Sequence, residues 1–208
     1  MKFIQKLTNE RFAKPAARFM ECICYFLICF FILCTVLSLM GRQTFALHTK
    51  TGYYERAIIA EEDHDPHSRA MTVHMGDSIH VWANDDNKID MAVQIALSLM
   101  YAVNTVPVIF AFWFLGRVFS NIWEGQIFTE RNASYLLYYG LLQFFVAVFV
   151  PFIKLLICRL INLVSDDRIS IGTGQAMFNT LIPSIAFIVA AYIVHYGVHL
   201  QDEVDHTL

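Results

Sequence analysis

The densest group of side chains able to do chemistry lies in residues 61–67, where six of the seven positions carry a carboxylate or an imidazole. Imidazole and carboxylate together suit zinc and other divalent metals. We therefore predict a metal site whose candidate ligands are His64, His67, His74 and His80. Their spacing matches no established metal motif, and a solvated acidic loop without a ligand is the more common explanation.

A second pair of imidazoles, His195 and His199, lies four residues apart near the end of the last apolar run. On a helix this spacing puts both rings on one face, where they can hold a metal or one of them can ligate a haem. Tyr192 and Tyr196 accompany them. His and Tyr at such a depth more often form an interfacial belt, which is the interpretation we favour.

The common catalytic and phosphate-binding motifs are absent from the sequence. It contains no nucleophile elbow, phosphate loop, zinc-protease helix or catalytic-triad pattern. We expect neither an enzyme nor a bound cofactor. The formal net charge of −3 produces no broad basic field, so nucleic acid is not expected as a direct partner.

The elements that must position these groups are four long apolar runs, at residues of about 20–40, 91–115, 134–157 and 176–198. Each is long enough to cross a hydrocarbon core about 30 Å thick at 1.5 Å per residue. Hydrophobic residues make up 57% of the chain and charged residues only 16%, well below the charge of soluble domains. The sequence predicts an all-α membrane fold with four transmembrane helices, formed by residues 1–208 as a single domain.

The orientation of the chain in the membrane is predicted from the positive charge near its N-terminus. Five cations precede the first apolar run: Lys2, Lys6, Arg11, Lys14 and Arg18. By the positive-inside rule the N-terminus is cytoplasmic, and an even number of spans returns the C-terminus to the same side. Lys154 and Arg159 would then lie on the opposite side, which weakens the assignment. We expect a multi-pass protein of the cell membrane with both termini in the cytoplasm.

The first loop (residues 41–90) is expected outside the cytoplasm and carries a strand-like alternation. A turn at residues 76–78 would pair two short strands as a hairpin. One face would then hold Met71, Val73, Met75, Ile79, Val81 and Ala83, and the other Thr72, His74, His80 and Trp82. Two strands alone are marginal in water, so the apolar face should rest on the helix ends or on another chain.

The central connector (residues 116–133) separates the two pairs of runs and is rich in apolar side chains. Gly125 is expected to end the helical turn before it, and Thr129 to cap the third helix. The tail (residues 199–208) is acidic. We predict a partner-binding surface made of Phe119, Ile122, Trp123, Ile127, Phe128, Asp202, Glu203 and Asp205. Packing under the helices or in lipid headgroups is the alternative, and the more frequent fate of such residues.

The connector and the tail resemble those of an uncharacterised family of small four-helix bacterial membrane proteins. The connector matches the spacing G-x-I-F-x-x-x-N-x-x-x-L-x-x-x-G with Gly125, Ile127, Phe128, Asn132, Leu136 and Gly140. The tail matches with Gly197, Leu200, Gln201, Glu203, Asp205, Thr207 and Leu208. His206 departs from the pattern, because leucine is usual at that position. The resemblance covers all four helices loosely and these two pieces more sharply.

Many members of that family are encoded beside a small helix-turn-helix regulator. The resemblance therefore implies a regulatory or sensor protein that binds or sequesters a cytosolic DNA-binding regulator. The alternative is a small transporter or an immunity protein against a membrane-active peptide. Expected partners are the lipid bilayer, such a regulator and a second copy of the chain.

Overall fold

The computed structural model describes residues 10–50, 52–58, 71–75, 79–84, 89–172 and 176–207. Four long helices fall within these residues: α1 (Glu10–Leu39), α2 (Met91–Trp123), α3 (Glu130–Val164) and α4 (Ala176–Thr207). Each contains a segment long and apolar enough to cross a membrane. The predicted four-helix membrane class is confirmed.

The helices extend beyond the predicted apolar runs. α2 continues to Trp123 and α3 begins at Glu130, so only residues 124–129 of the central connector are not helical. α4 likewise continues through most of the tail. Hydropathy marks the part of a helix that matches the hydrocarbon core, whereas the backbone remains helical into the polar flanks until a residue ends it.

Five short strands form one sheet within the described residues: β1 (Gln43–His48), β2 (Tyr53–Ile58), β3 (Val73–His74), β4 (Ile79–Trp82) and β5 (Arg168–Ile171). Their order is β2-β1-β4-β5, and β3 also pairs with β1. β1 and β2 are antiparallel neighbours joined by a short turn, and β5 pairs antiparallel with β4. The sheet therefore combines four strands from the loop between α1 and α2 with one strand from the loop between α3 and α4.

The first loop does contain a β-hairpin, but its strands are β1 and β2 rather than those predicted. β3 and β4 do not pair with each other; both run parallel to β1, with Gln43 opposite Val73 and Ala46 opposite His80. Alternation specifies which face a residue occupies, not which strand lies beside it. The turn at residues 76–78 lies outside the described residues.

The predicted alternation of faces is otherwise confirmed. Val73, Ile79, Val81 and Ala83 are buried, whereas Met71 is 52% exposed. The apolar face of the sheet packs on helix ends, as expected. Its cluster comprises Phe45, Leu47, Ile79, Val81, Ala83, Val93, Ala96, Leu97, Met100, Cys158 and Ile169.

Backbone contacts divide the chain into two compact units. The sheet unit comprises residues 31–106 and 148–176 and contains the sheet with its apolar cluster. The connector unit comprises residues 1–30, 107–147 and 177–208.

Within the connector unit, α3 and α4 lie close together at Gly140. A Cβ added there would lie 2.7 Å from Ile188 Cγ1 and 3.2 Å from the Ser184 carbonyl oxygen. Small residues allow helix backbones this proximity, and in membranes such contacts replace the hydrophobic force that lipid does not supply. The glycine that the family spacing singled out is therefore a helix-packing residue.

In the sheet unit, one buried carboxylate joins the two loops. Asp167 is 4% exposed, and its two oxygens accept the backbone N–H groups of Asn84 at 2.8 Å and Asp90 at 2.9 Å. The Asp90 carboxylate in turn accepts the Ser165 hydroxyl at 2.7 Å. This hydrogen bond, aided by the Ala92 N–H, lowers the pKa of Asp90. Asp167 thus fixes the entry to α2.

Asn162 protects the edge of the same sheet. Its side-chain amide accepts the N–H of Ile169 at 2.8 Å and donates to the Ile169 carbonyl at 2.9 Å. These two bonds occupy backbone groups on β5 that another strand would otherwise pair with, which is one way proteins prevent edge-to-edge association.

Replacement of Asp167 by alanine should destabilise the sheet unit. The change removes two hydrogen bonds to a charged acceptor, each worth about 1.5–3 kcal/mol. The neighbouring exposed Asp166 provides the matched control. We expect Asp167→Ala to lower the Tm of the detergent-solubilised protein clearly below that of Asp166→Ala. Equal Tm values for the two variants would contradict this role.

Candidate functional site

The central connector begins with a helix stop. Gly125 has φ +88°, its N–H donates to the Ile122 carbonyl at 3.0 Å, and the Gln126 N–H donates to the Asn121 carbonyl at 2.9 Å. This pair of bonds is the Schellman arrangement, in which a left-handed glycine reverses the chain and satisfies the last carbonyls of a helix. Gly125 therefore ends α2 as predicted.

Asn132 holds the loop that follows. It is only 1% exposed. Its Nδ2 donates to the carbonyls of Gln126 at 2.6 Å and Ile127 at 2.9 Å, and its Oδ1 accepts from Asn121 Nδ2 at 2.7 Å. One side chain at the start of α3 thus binds both the loop and the end of α2. This explains why the family spacing contains an asparagine.

Thr129 begins α3 as predicted. Its hydroxyl oxygen accepts the Asn132 N–H at 3.2 Å, and its carbonyl accepts the Ala133 N–H at 3.1 Å. This is the N-cap bond to the third helical residue, which satisfies one of the otherwise free donors of the first turn. The cap also aligns Asn132 with the loop carbonyls.

The locked loop and the last turns of α2 present apolar side chains. Trp123 is 44% exposed, Ile127 48% and Phe128 54%, whereas Phe119 and Ile122 are half-buried. Three of the five predicted connector residues are therefore accessible, and the other two partly support them. Asp202, Glu203 and Asp205 lie in the last turns of α4, and their side chains are outside the described part of the structure.

Trp123 also contacts α1. The guanidinium carbon of Arg18 lies 5.1 Å from the centroid of the Trp123 ring, within the range of a cation–π interaction. Arg18 forms an ion pair with Glu21 at 2.7 Å, and Glu21 is 6% exposed. Glu21 was not predicted from the sequence to belong to this site. Its position one turn from Arg18, at the edge of the first apolar run, was the available signal.

Phe128 reaches α4, where a Cβ added at Gly197 would lie 3.2 Å from its ring. Between this contact and the Gly140 approach, α3 and α4 leave a groove of about 420 Å³. Its lining contains both apolar and polar side chains: Glu130, Ala133, Ser134, Leu137, Ile188, Ala191, Tyr192 and His195. The connector unit therefore offers an amphipathic groove beside its exposed apolar loop.

The predicted pair His195 and His199 lies on one face of α4, as the spacing indicated. The rings meet edge to face with centroids 4.7 Å apart. No group of three metal-capable side chains occurs among the described residues. Ligation of a metal or haem by this pair remains a prediction.

Two of the four predicted metal ligands lie in the sheet, and the other two are not among the described residues. His64 and His67 lie outside the described residues. His74 is exposed, and its Nδ1 is 3.2 Å from the Thr44 hydroxyl. His80 instead contacts His48, whose Nε2 lies 3.1 Å from His80 Nδ1. The structure thus joins His80 to an imidazole that the sequence analysis did not select, because β1 was not recognised as a strand.

His48 lies in an aromatic cluster on the polar face of the sheet. Its ring stacks on Trp82 with centroids 4.7 Å apart and an interplanar angle of 6°, and Tyr53 lies at the same centroid distance. Desolvation, followed by the proximity of His80, lowers the pKa of His48. The charged form is disfavoured, so His48 stays neutral to a lower pH than a free histidine.

These features define an integral membrane protein with four spanning helices, a sheet built from its interhelical loops and a locked connector. A family model described as a protein of unknown function (DUF2975) matches residues 60–208. The chain belongs to this family, which confirms the resemblance seen in the connector and tail. No curated protein and no solved structure matches the chain.

Replacement of Asn132 by alanine should release the connector loop. It removes the three hydrogen bonds to the Gln126 and Ile127 carbonyls and the Asn121 amide, each worth about 0.5–1.5 kcal/mol. We expect faster backbone hydrogen exchange at residues 124–130, measured by mass spectrometry in detergent. Exposed Arg131 is the adjacent control. If Arg131→Ala and Asn132→Ala exchange at the same rate, Asn132 does not hold the loop.

Proposed function

We propose that this protein is a regulatory membrane protein whose connector binds a cytosolic protein. The observation that supports this best is the combination of exposure and rigidity in the central connector. Trp123, Ile127 and Phe128 are each at least 44% exposed; Trp123 ends α2, and Ile127 and Phe128 lie on the loop fixed by the Asn132 amide. A preorganised apolar surface loses little conformational entropy on binding, which favours specific recognition. This role requires no catalytic chemistry and no cofactor.

The charges near this surface favour a basic protein over lipid as its occupant. Glu124 and Glu130 flank the loop and are exposed, and the tail adds Asp202, Glu203 and Asp205. Positive charge in the same unit lies on Arg117 and Arg131 beside the loop and on Lys14 and Arg18 of α1, so the acidic contribution comes from these five carboxylates and not from the unit as a whole. Cytoplasmic leaflets carry anionic lipid, which repels an acidic surface, whereas a basic partner is steered toward it. A small DNA-binding regulator, the partner implied by the family resemblance, has this chemistry.

The proposal requires the connector and both termini to face the cytoplasm. The five cations before the first apolar run support this orientation. In a variant without native cysteines, cysteines introduced at Ser78 and Ser170 should react with an impermeant maleimide added to intact cells. A cysteine at Glu124 should react only after permeabilisation. The reverse pattern would exclude cytoplasmic capture.

If the connector binds a cytosolic partner, mutation of the connector and tail should abolish that binding. Replacing Trp123 by alanine and deleting residues 201–208 should abolish capture of the cytosolic partner, because the change removes an exposed ring together with the acidic tail. A photoreactive residue at position 127 should crosslink to that partner. The amount of membrane protein should not change. Capture would be measured by co-purification and mass spectrometry.

Leu163→Ala is the matched control, since Leu163 is 82% exposed but belongs to the sheet unit. It should leave capture intact. Unchanged capture by the Trp123 variant would refute the docking surface. Crosslinks from position 127 to lipid alone would assign the apolar side chains to the headgroup region instead.

A further inference from the structure

We propose that His48 and His80 form a two-imidazole binding site for a divalent transition metal of the zinc, copper or nickel type, on the polar face of the sheet. The site lies in the sheet unit and does not depend on the proposed function. It differs from the set predicted from sequence, because it uses His48 and does not require His64, His67 or His74.

The separation of the two ring nitrogens fits such a metal. His48 Nε2 and His80 Nδ1 lie 3.1 Å apart. Two imidazole nitrogens bonded at about 2.0–2.1 Å, at angles between square-planar and tetrahedral, stand about 2.9–3.4 Å from each other. The backbone therefore already holds the nitrogens at the spacing of two cis ligands.

The pairing of β1 with β4 fixes the relative positions of the two histidines. β1 and β4 are adjacent parallel strands in which Ala46 pairs with His80 and His48 pairs with Trp82. The imidazoles are thus diagonal neighbours on one face of a hydrogen-bonded ladder. Stacking on Trp82 and contact with Tyr53 further restrict the His48 ring. The strand pairing therefore places the two residues side by side before the metal binds, and only the rings have to turn.

The two rings also have room and the right chemistry to bind. Both histidines are only partly buried, so water can complete the coordination shell. In the free protein one facing nitrogen carries a proton and donates to the other. When a metal binds, that proton moves through water to the outer nitrogen of the same ring. Both facing lone pairs then bind the metal, both imidazoles stay neutral, and each ring turns by roughly 35–45° so that its lone pair points at the metal instead of at the other ring.

Binding can be followed through Trp82, because it stacks directly on His48. The experiment uses the full-length protein in detergent with Trp113 and Trp123 replaced by phenylalanine. Titration with Ni²⁺ or Cu²⁺ should quench Trp82 saturably with one metal per chain. His48→Gln and His80→Gln should each weaken binding about tenfold or more, since each removes one of two protein ligands.

Two controls separate this site from its alternatives. His74→Gln should bind the metal as the parent does, because His74 faces Thr44. A His64→Gln and His67→Gln double variant should also retain the quenching. Wild-type affinity in the His48 and His80 variants would overturn the proposal, as would loss of binding only in the double variant.

A second measurement guards against misfolding of the variants. Electron paramagnetic resonance of the Cu²⁺-loaded protein with its tryptophans intact should show hyperfine splitting from two imidazole nitrogens. The signal should change to one nitrogen in His80→Gln. A spectrum without imidazole nitrogen would overturn the proposal whatever the fluorescence result.

Discussion

The constraint on which this structure depends is that backbone groups at the ends of membrane helices must find partners. Hydrocarbon provides none, and a free N–H or carbonyl there is costly. The protein solves this with glycine stops at Gly41 and Gly125 and with a few polar side chains. Asn132 satisfies the connector carbonyls, and Asp167 satisfies amides at the entry to α2. The same residues define the shape of each loop.

These fixed helix ends connect structure to the proposed functions. In the connector unit, the Asn132 bonds fix the backbone of the loop that carries the exposed side chains of Ile127 and Phe128. In the sheet unit, the ladder of β1 and β4 holds two imidazoles 3.1 Å apart. In both units, the backbone fixes the positions of the functional side chains, and the side-chain types alone would not determine those positions.

Some of the family pattern now has a physical explanation. Gly125 adopts a left-handed conformation, Asn132 clasps the loop, Gly140 permits the close approach of α3 and α4, and Gly197 accommodates Phe128. Gly125 serves backbone conformation, Asn132 serves hydrogen bonding, and Gly140 and Gly197 serve close packing. This part of the pattern therefore reports how the connector unit folds and does not by itself identify a ligand.

The sequence determined the four spans, the end of α2 at Gly125, the cap at Thr129 and the alternation of Val73, Ile79 and Val81. These depend on hydropathy, local turns and nearby residues. Tertiary structure decided which strands pair, why Gln43 is fully buried against Ser38 and Ser98, and that His80 meets His48. Such contacts join residues up to 92 positions apart, the separation of Ile79 and Ile171 (171 − 79 = 92), and no local pattern specifies the partner. Only the folded chain brings those residues together.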